Sequence, residues 1–150
     1  PGKGYQIETL KQSIIKILGT DRQWPVVLVG VGNLGSALLA YKGFTRQGFK
    51  IVCAFDSDLR KIGKNLEGVL VKDLSELEAE IKLNKVEIAI VTVPQESAVD
   101  VLDRLVKAGI RAILNFAPVR PQVPDAVEIL NIDLSIELEK LAYFLARSLK

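Results

Sequence analysis

Apolar and polar positions along this chain switch repeatedly between two periods. Residues 26–29 form a short β-branched run between Pro25 and Gly30, which reads as a buried parallel strand. A helix is expected over residues 33–42, ending near Gly43. The alternation continues with strands over residues 50–55 and 69–71, then a helix over residues 73–84. Asp73 is the candidate cap of that helix, and Glu76 stands three residues on. Residues 87–93 read as a fourth strand closed by Pro94. Residues 97–108 read as a helix with Val101, Leu102, Leu105 and Val106 facing inward, ended by Gly109. Residues 111–116 and 127–131 supply a fifth and a sixth strand. Upstream, Ile7, Leu10, Ile14 and Ile17 keep a three-four spacing that predicts a short helix stopping at Gly19. Strands alternating with helices imply an α/β, Rossmann-like, doubly wound and mostly parallel sheet, covered by helices on both faces.

The last segment, residues 134–150, carries Leu134, Leu138, Leu141, Leu145 and Leu149 as a continuous stripe, widened by Ile136, Tyr143 and Phe144. Such a helix either packs on its own sheet or crosses into a second subunit. The breadth of the stripe favours crossing, and two-fold pairs are the commonest oligomers, so a homodimer is expected.

Composition narrows the picture further. With 150 residues, 49% of them hydrophobic, the chain can build a core, and disorder is excluded. Apolar stretches such as residues 88–94 fall far short of the roughly 20 residues of a membrane span, and no secretory signal opens the chain. A soluble, cytoplasmic protein is expected. Twenty basic against 18 acidic residues leave a charge of +2, unlike a domain that grips a phosphate backbone by itself. There is no His, which removes the commonest general acid/base and metal ligand. Cys53 is the one cysteine, so no internal disulfide or cysteine metal cluster can form, and it reads as a small buried hydrophobe. No metal is expected. The chain contains no Met and begins at Pro1, which is expected of a piece of a longer protein.

Candidate chemistry gathers at one turn. Gly30, Val31, Gly32, Asn33, Leu34 and Gly35 match G-x-G-x-x-G directly after a strand and at the head of a helix, and Asp56 lies 21 residues after Gly35. Gly30 allows the tight turn, Gly32 lets backbone approach a pyrophosphate, and Gly35 lets helix and strand pack closely. The helix N-terminus offers free N–H groups and partial positive charge to phosphate oxygens. Asp56 can accept from adenosine ribose hydroxyls and would repel a 2′-phosphate, favouring NAD(H) over NADP(H). Arg60 and Lys61 nearby are expected to be solvated surface charges. Val93 and Pro94 after the fourth strand, and Asn115, Phe116, Ala117 and Pro118 after the fifth, emerge on the same binding edge.

These residues resemble the Rex family of bacterial redox-sensing repressors. The resemblance runs through residues 29–35, Tyr41-Lys42-Gly43-Phe44, Ala54-Phe55-Asp56, residues 115–119, and Asn131-Ile132-Asp133-Leu134 with Glu137-Leu138. It implies an N-terminal winged-helix DNA-binding domain, absent here, a Rossmann domain, and a C-terminal helix swapped between subunits. On that pattern residues 1–20 are a linker after the missing domain, residues 21–133 the NAD(H)-binding domain, and residues 134–150 the dimerising helix. The resemblance implies adenosine-diphosphate contacts for residues 30–35 and Asp56, and places Val93, Pro94, Phe116 and Ala117 towards the nicotinamide. It makes Tyr41, borne on a helix, and Asp133 a state-dependent pair, Asp133 doubling as a helix cap. Operator DNA would be met through the winged helix alone. The expected role is sensing the NADH/NAD⁺ ratio, with no enzymatic activity. A nicotinamide-dependent oxidoreductase fragment and a stand-alone CoA-binding domain are the alternatives. The missing His and substrate domain count against the first, and Asp56 facing the 3′-phosphorylated ribose of CoA counts against the second.

Overall fold

A computed structural model describes residues 7, 9–13 and 22–149. Residues 7 and 9–13 are helical, while Ile14, Ile17 and Gly19 lie outside the described residues. The remaining elements are β1 (Trp24–Val29), α1 (Asn33–Ala40), α2 (Gly43–Arg46), β2 (Phe49–Asp56), β3 (Asn65–Leu66) and β4 (Val69–Asp73). A 3-10 turn (Leu74–Glu76) leads into α3 (Leu77–Leu83), followed by β5 (Ile88–Val91), α4 (Gln95–Lys107), β6 (Ala112–Asn115), β7 (Glu128–Asn131) and α5 (Leu134–Ser148).

The strands form one sheet in the order β3-β4-β2-β1-β5-β6-β7, and every pairing except that of β3 with β4 is parallel. The chain winds outward from β1 in one direction and then from β5 in the other. The strand order therefore reverses between β1 and β5, where ligands of doubly wound sheets bind. Val27, Val29, Phe55, Ala89, Val91 and Ile113 point to one face and are sealed by Leu77 and Ile81 of α3 and Val101, Leu102 and Leu105 of α4. Val26, Leu28, Ala54 and Ile90 point to the other face, under Leu39 of α1 and Phe44 of α2.

Several boundaries depart from the pattern-based expectation. α1 ends at Ala40, not Lys42, because Tyr41 adopts an extended conformation (φ −75°, ψ 113°). Gly43 does not stop a helix but opens α2. A Cβ there would coincide with the Tyr41 ring, which meets Phe44 edge-on at 4.9 Å. Asp73 accepts from the Ser75 N–H, so the first turn after it is 3-10 rather than a capping box with Glu76. Strand β3 was not expected. It pairs back on β4 through Glu67 (φ 54°) and Gly68 (φ 81°), a two-residue turn with both residues left-handed.

Among the described residues, helices do not cover both faces fully. On the α1 side no described helix covers the sheet over β5 to β7, leaving an apolar hollow of about 360 Å³ bounded by Ile88, Ala112, Leu114 and Leu130. The connection from β6 to β7 contains no helix, so nothing from that crossover shields this surface. α5 is also uncovered. None of its residues is buried, and Leu138, Leu141, Phe144 and Leu145 are 59–66% exposed. Packing on its own sheet is thus not what α5 does among the described residues. No helix among them is long and apolar enough to cross a membrane. Cys53 is buried, as expected, and that burial pushes its thiol up to about 11.

Candidate functional site

The end of β1 is locked before it turns. The N–H of Gly30 donates to Phe55 O (2.8 Å), and Thr92 holds the turn from the other side. The Thr92 N–H donates to Val29 O (2.9 Å) and its Oγ1 donates to Gly30 O (2.7 Å). Gly30 has φ +102°, and a Cβ on it would strike Thr92. A Cβ on Gly35 would strike the Gly30 carbonyl, so the strand and α1 approach at backbone distance. Gly32 differs from both: a Cβ there would meet nothing within 4 Å. The space it faces is free to admit a ligand at the head of α1. Gly32 precedes that helix, and no acidic residue stands in its first turn, so the N-terminal charge has no partner within the helix itself.

Asp56 ends β2 at the lip of this turn. Its Oδ2 accepts from Val31 N–H (2.8 Å) and its Oδ1 from Asp58 N–H (2.9 Å). Two backbone bonds fix the carboxylate yet leave each oxygen a further lone pair towards the cleft. Arg60 behaves as a surface charge, bonded to Asp58 with an 88% exposed side chain. Lys61 does not. It folds back over the glycine turn, where its Nζ donates to Val31 O (2.6 Å), and it lines the cleft beside Asp56. Thr92, Ser97 and Lys61 are site residues that motif reading missed, because none belongs to a glycine pattern.

The expected contacts divide between two clefts on the carboxyl edge of the sheet. The first, of about 280 Å³, brings together Gly30, Val31, Gly32, Asp56, Val93 and Pro94. Val31 offers backbone there, since its side chain is buried. The second, of about 590 Å³, gathers Leu34, Phe116, Ala117 and Pro118 with Asp133 and the first turn of α5. Asn33 and Gly35 stand in α1 next to both, Asn33 exposed and Gly35 buried against Gly30. Asn115 has a supporting place rather than a lining one. It is 0% exposed, and its amide bonds Ala117, Val119 and Asn131.

Tyr41 and Asp133 sit apart within one chain. Tyr41 lies just past the far end of α1, not on the helix, and is half exposed over Gly43. Asp133 caps α5, its Oδ1 accepting from Ser135 N–H (2.9 Å) and Ile136 N–H (3.3 Å). The cap reading of Asp133 therefore holds.

A family model described as the CoA binding domain matches residues 21–119. The redox-sensing transcriptional repressor Rex of Desulforamulus reducens is 48% identical over 145 residues, which are 97% of this chain and 69% of that protein. RSP, a Rex-family repressor, has been crystallised with β-NADH. That structure superposes with a TM-score of 0.86 at 38% identity, over 95% of this chain and 69% of RSP. RSP in complex with β-NAD⁺ and operator DNA superposes at 0.89, over 95% and 65% of the two chains.

Proposed function

The chain belongs to the Rex family of redox-sensing transcriptional repressors, and on that premise we propose that residues 21–133 bind NAD(H) at the glycine turn. In this reading residues 1–20 are a linker and residues 134–150 a helix that pairs two copies of the chain. The observation that carries the ligand assignment is Asp56, pinned by Val31 N–H at the mouth of a turn whose Gly32 opens onto free space. Gly30, Gly32 and the head of α1 would hold the pyrophosphate, and Asp56 would accept from the ribose hydroxyls. The same carboxylate disfavours a 2′-phosphate and the 3′-phosphorylated ribose of CoA.

Val93, Pro94, Phe116 and Ala117 give the nicotinamide side an apolar lining. Such a lining disfavours the charged ring of NAD⁺ relative to the neutral ring of NADH. Each ~1.4 kcal/mol of that difference is tenfold in affinity, and throwing a balanced two-state protein fully over takes about 5.5 kcal/mol. We assign the response to the dimer: the second cleft tightens against α5, and Tyr41 of one subunit exchanges its contact with Asp133 of the other. Operator binding is assigned to a winged-helix domain outside residues 21–150, working in the cytoplasm and relieved when NADH occupies the site. The chain acts as a sensor, without turnover of the dinucleotide.

Calorimetric titration with NADH, NAD⁺, NADPH and CoA in one buffer tests this reading. NADH is expected to bind tightest and NAD⁺ clearly weaker, with NADPH and CoA poorest. Asp56→Asn should weaken NADH about 10-fold or more, the scale of a lost bond to a charged acceptor. CoA competing on equal terms with NADH would overturn the assignment.

A further inference from the structure

Two side-chain amides tie the loop on one wall of the second cleft to the root of the helix on the other. Asn115 Nδ2 donates to Ala117 O (3.2 Å), Val119 O (3.2 Å) and Asn131 Oδ1 (2.8 Å), while its Oδ1 accepts from Ala117 N–H (3.0 Å). Turned over, that amide would set its oxygen against two backbone carbonyls and its nitrogen against the Ala117 N–H, so one orientation is fixed. The main chain repeats the tie: Asn115 pairs with Asn131 in the β6–β7 register, and Ile132 N–H donates to Asn115 O (2.8 Å). One residue further on, Asp133 caps α5 through Ser135 and Ile136. The loop after β6 has no helix or strand of its own as far as β7, so the Asn115 amide is a principal constraint on its shape near the cleft. A buried amide that satisfies several partners at once acts as a unit, and losing one partner loosens the rest.

We infer that the Asn115–Asn131 pair is the positioning link that makes residues 117–119 and the first turn of α5 shift as one body, so that occupancy of the cleft is felt at the helix. Asn115 is fully buried and Asn131 stands on the cleft wall, and in this inference both act through the segments they join. The inference rests on the NAD(H) reading for its input only, because the link is made by the chain's own residues. An amide suits both ends, as Asn115 must donate and accept while Asn131 must present an acceptor. Asn131→Asp keeps that acceptor and Asn131→Leu removes it.

Residue-resolved hydrogen exchange of the whole chain, with and without NADH, tests the link. In the ligand-free chain Asn131→Leu should speed exchange of Ala117 and Val119 together with Ile132, Ser135 and Ile136, by about tenfold. Asn131→Asp should stay within about threefold of the parent, and Val27 to Val29 should be unchanged in both. Added NADH should slow both segments in the parent and in Asn131→Asp. In Asn131→Leu it should slow residues 117–119 without reaching residues 132–136. Loosening of one segment alone in the ligand-free variant would overturn the link, as would full NADH protection of α5 in Asn131→Leu. Failure of the parent to bind NADH would instead overturn the ligand assignment, and the ligand-free comparison would still decide the link.

Discussion

Helices α4 and α5 are similar in length, 13 and 15 residues, and both carry a well-defined apolar stripe. Their fates differ completely. α4 buries Ala98, Val101, Leu102 and Leu105, whereas α5 buries nothing. Topology explains the contrast. α4 is the crossover between β5 and β6, neighbouring parallel strands, so the chain must lay it back over the sheet. α5 hangs from the edge strand β7, and no crossover between described strands draws it inward. An apolar stripe therefore states that a surface needs a cover, while connectivity decides whether the same chain supplies it. The polar contacts follow the same division. Arg104 of α4 makes two bonds to Glu78 of α3 and a third to Leu74 O, whereas the ion pair of α5, Lys140 with Glu137, stays within the helix.

The contrast can be broken most forcefully at Leu105, which is 0% exposed. Leu105→Asp should abolish the cooperative fold, since an unpaired charge there adds to a cavity loss of about 2–5 kcal/mol. Circular dichroism melts would show it. The matching change on α5, Leu141→Asp with Leu145→Asp, should leave the melt of the subunit nearly intact but split the dimer. Sedimentation should then read half the parent mass at micromolar protein. A parent already monomeric under those conditions would break the pairing proposal. Asp133→Ala removes the α5 cap and should cost that helix about 1 kcal/mol, visible as faster exchange in its first turn with little change in the global melt. The smallest effect is expected at Glu78→Gln, about 0.2–1 kcal/mol, because half of that side chain meets water. The bonds from Arg104 hold Glu78 below its ordinary 4.5, so its contribution is complete above that pH. It is lost as the pH falls through the lowered folded value. The gap between parent and variant should thus be present at pH 7 and close in acid.

The strand and helix alternation, and the pairing of residues 30–35 with Asp56, were legible because period and spacing carry them directly. What escaped was fixed by tertiary placement. Gly43 looks like a helix stop in one dimension, yet its missing Cβ makes room for the Tyr41 ring. Glu67 gives no turn signal, because its left-handed conformation is imposed by the pairing of β3 with β4. Lys61 reads as a surface charge until the turns that close on Asp58 O aim its stem back at Val31. The apolar patch that the described residues leave bare over β5 to β7 could not be foreseen, since a strand's alternation is the same whether its own helix or another surface covers it.

The burial of Cys53 bears on what kind of message this chain receives. With burial pushing the thiol up to about 11, little thiolate is left at neutral pH to meet peroxides or disulfides. Oxidants in the surroundings thus meet a buried sulfur that reacts slowly. A chain that reports redox state through a bound dinucleotide gains from such inertness, because its reading then follows a metabolic ratio and is not overwritten by damage to the instrument itself.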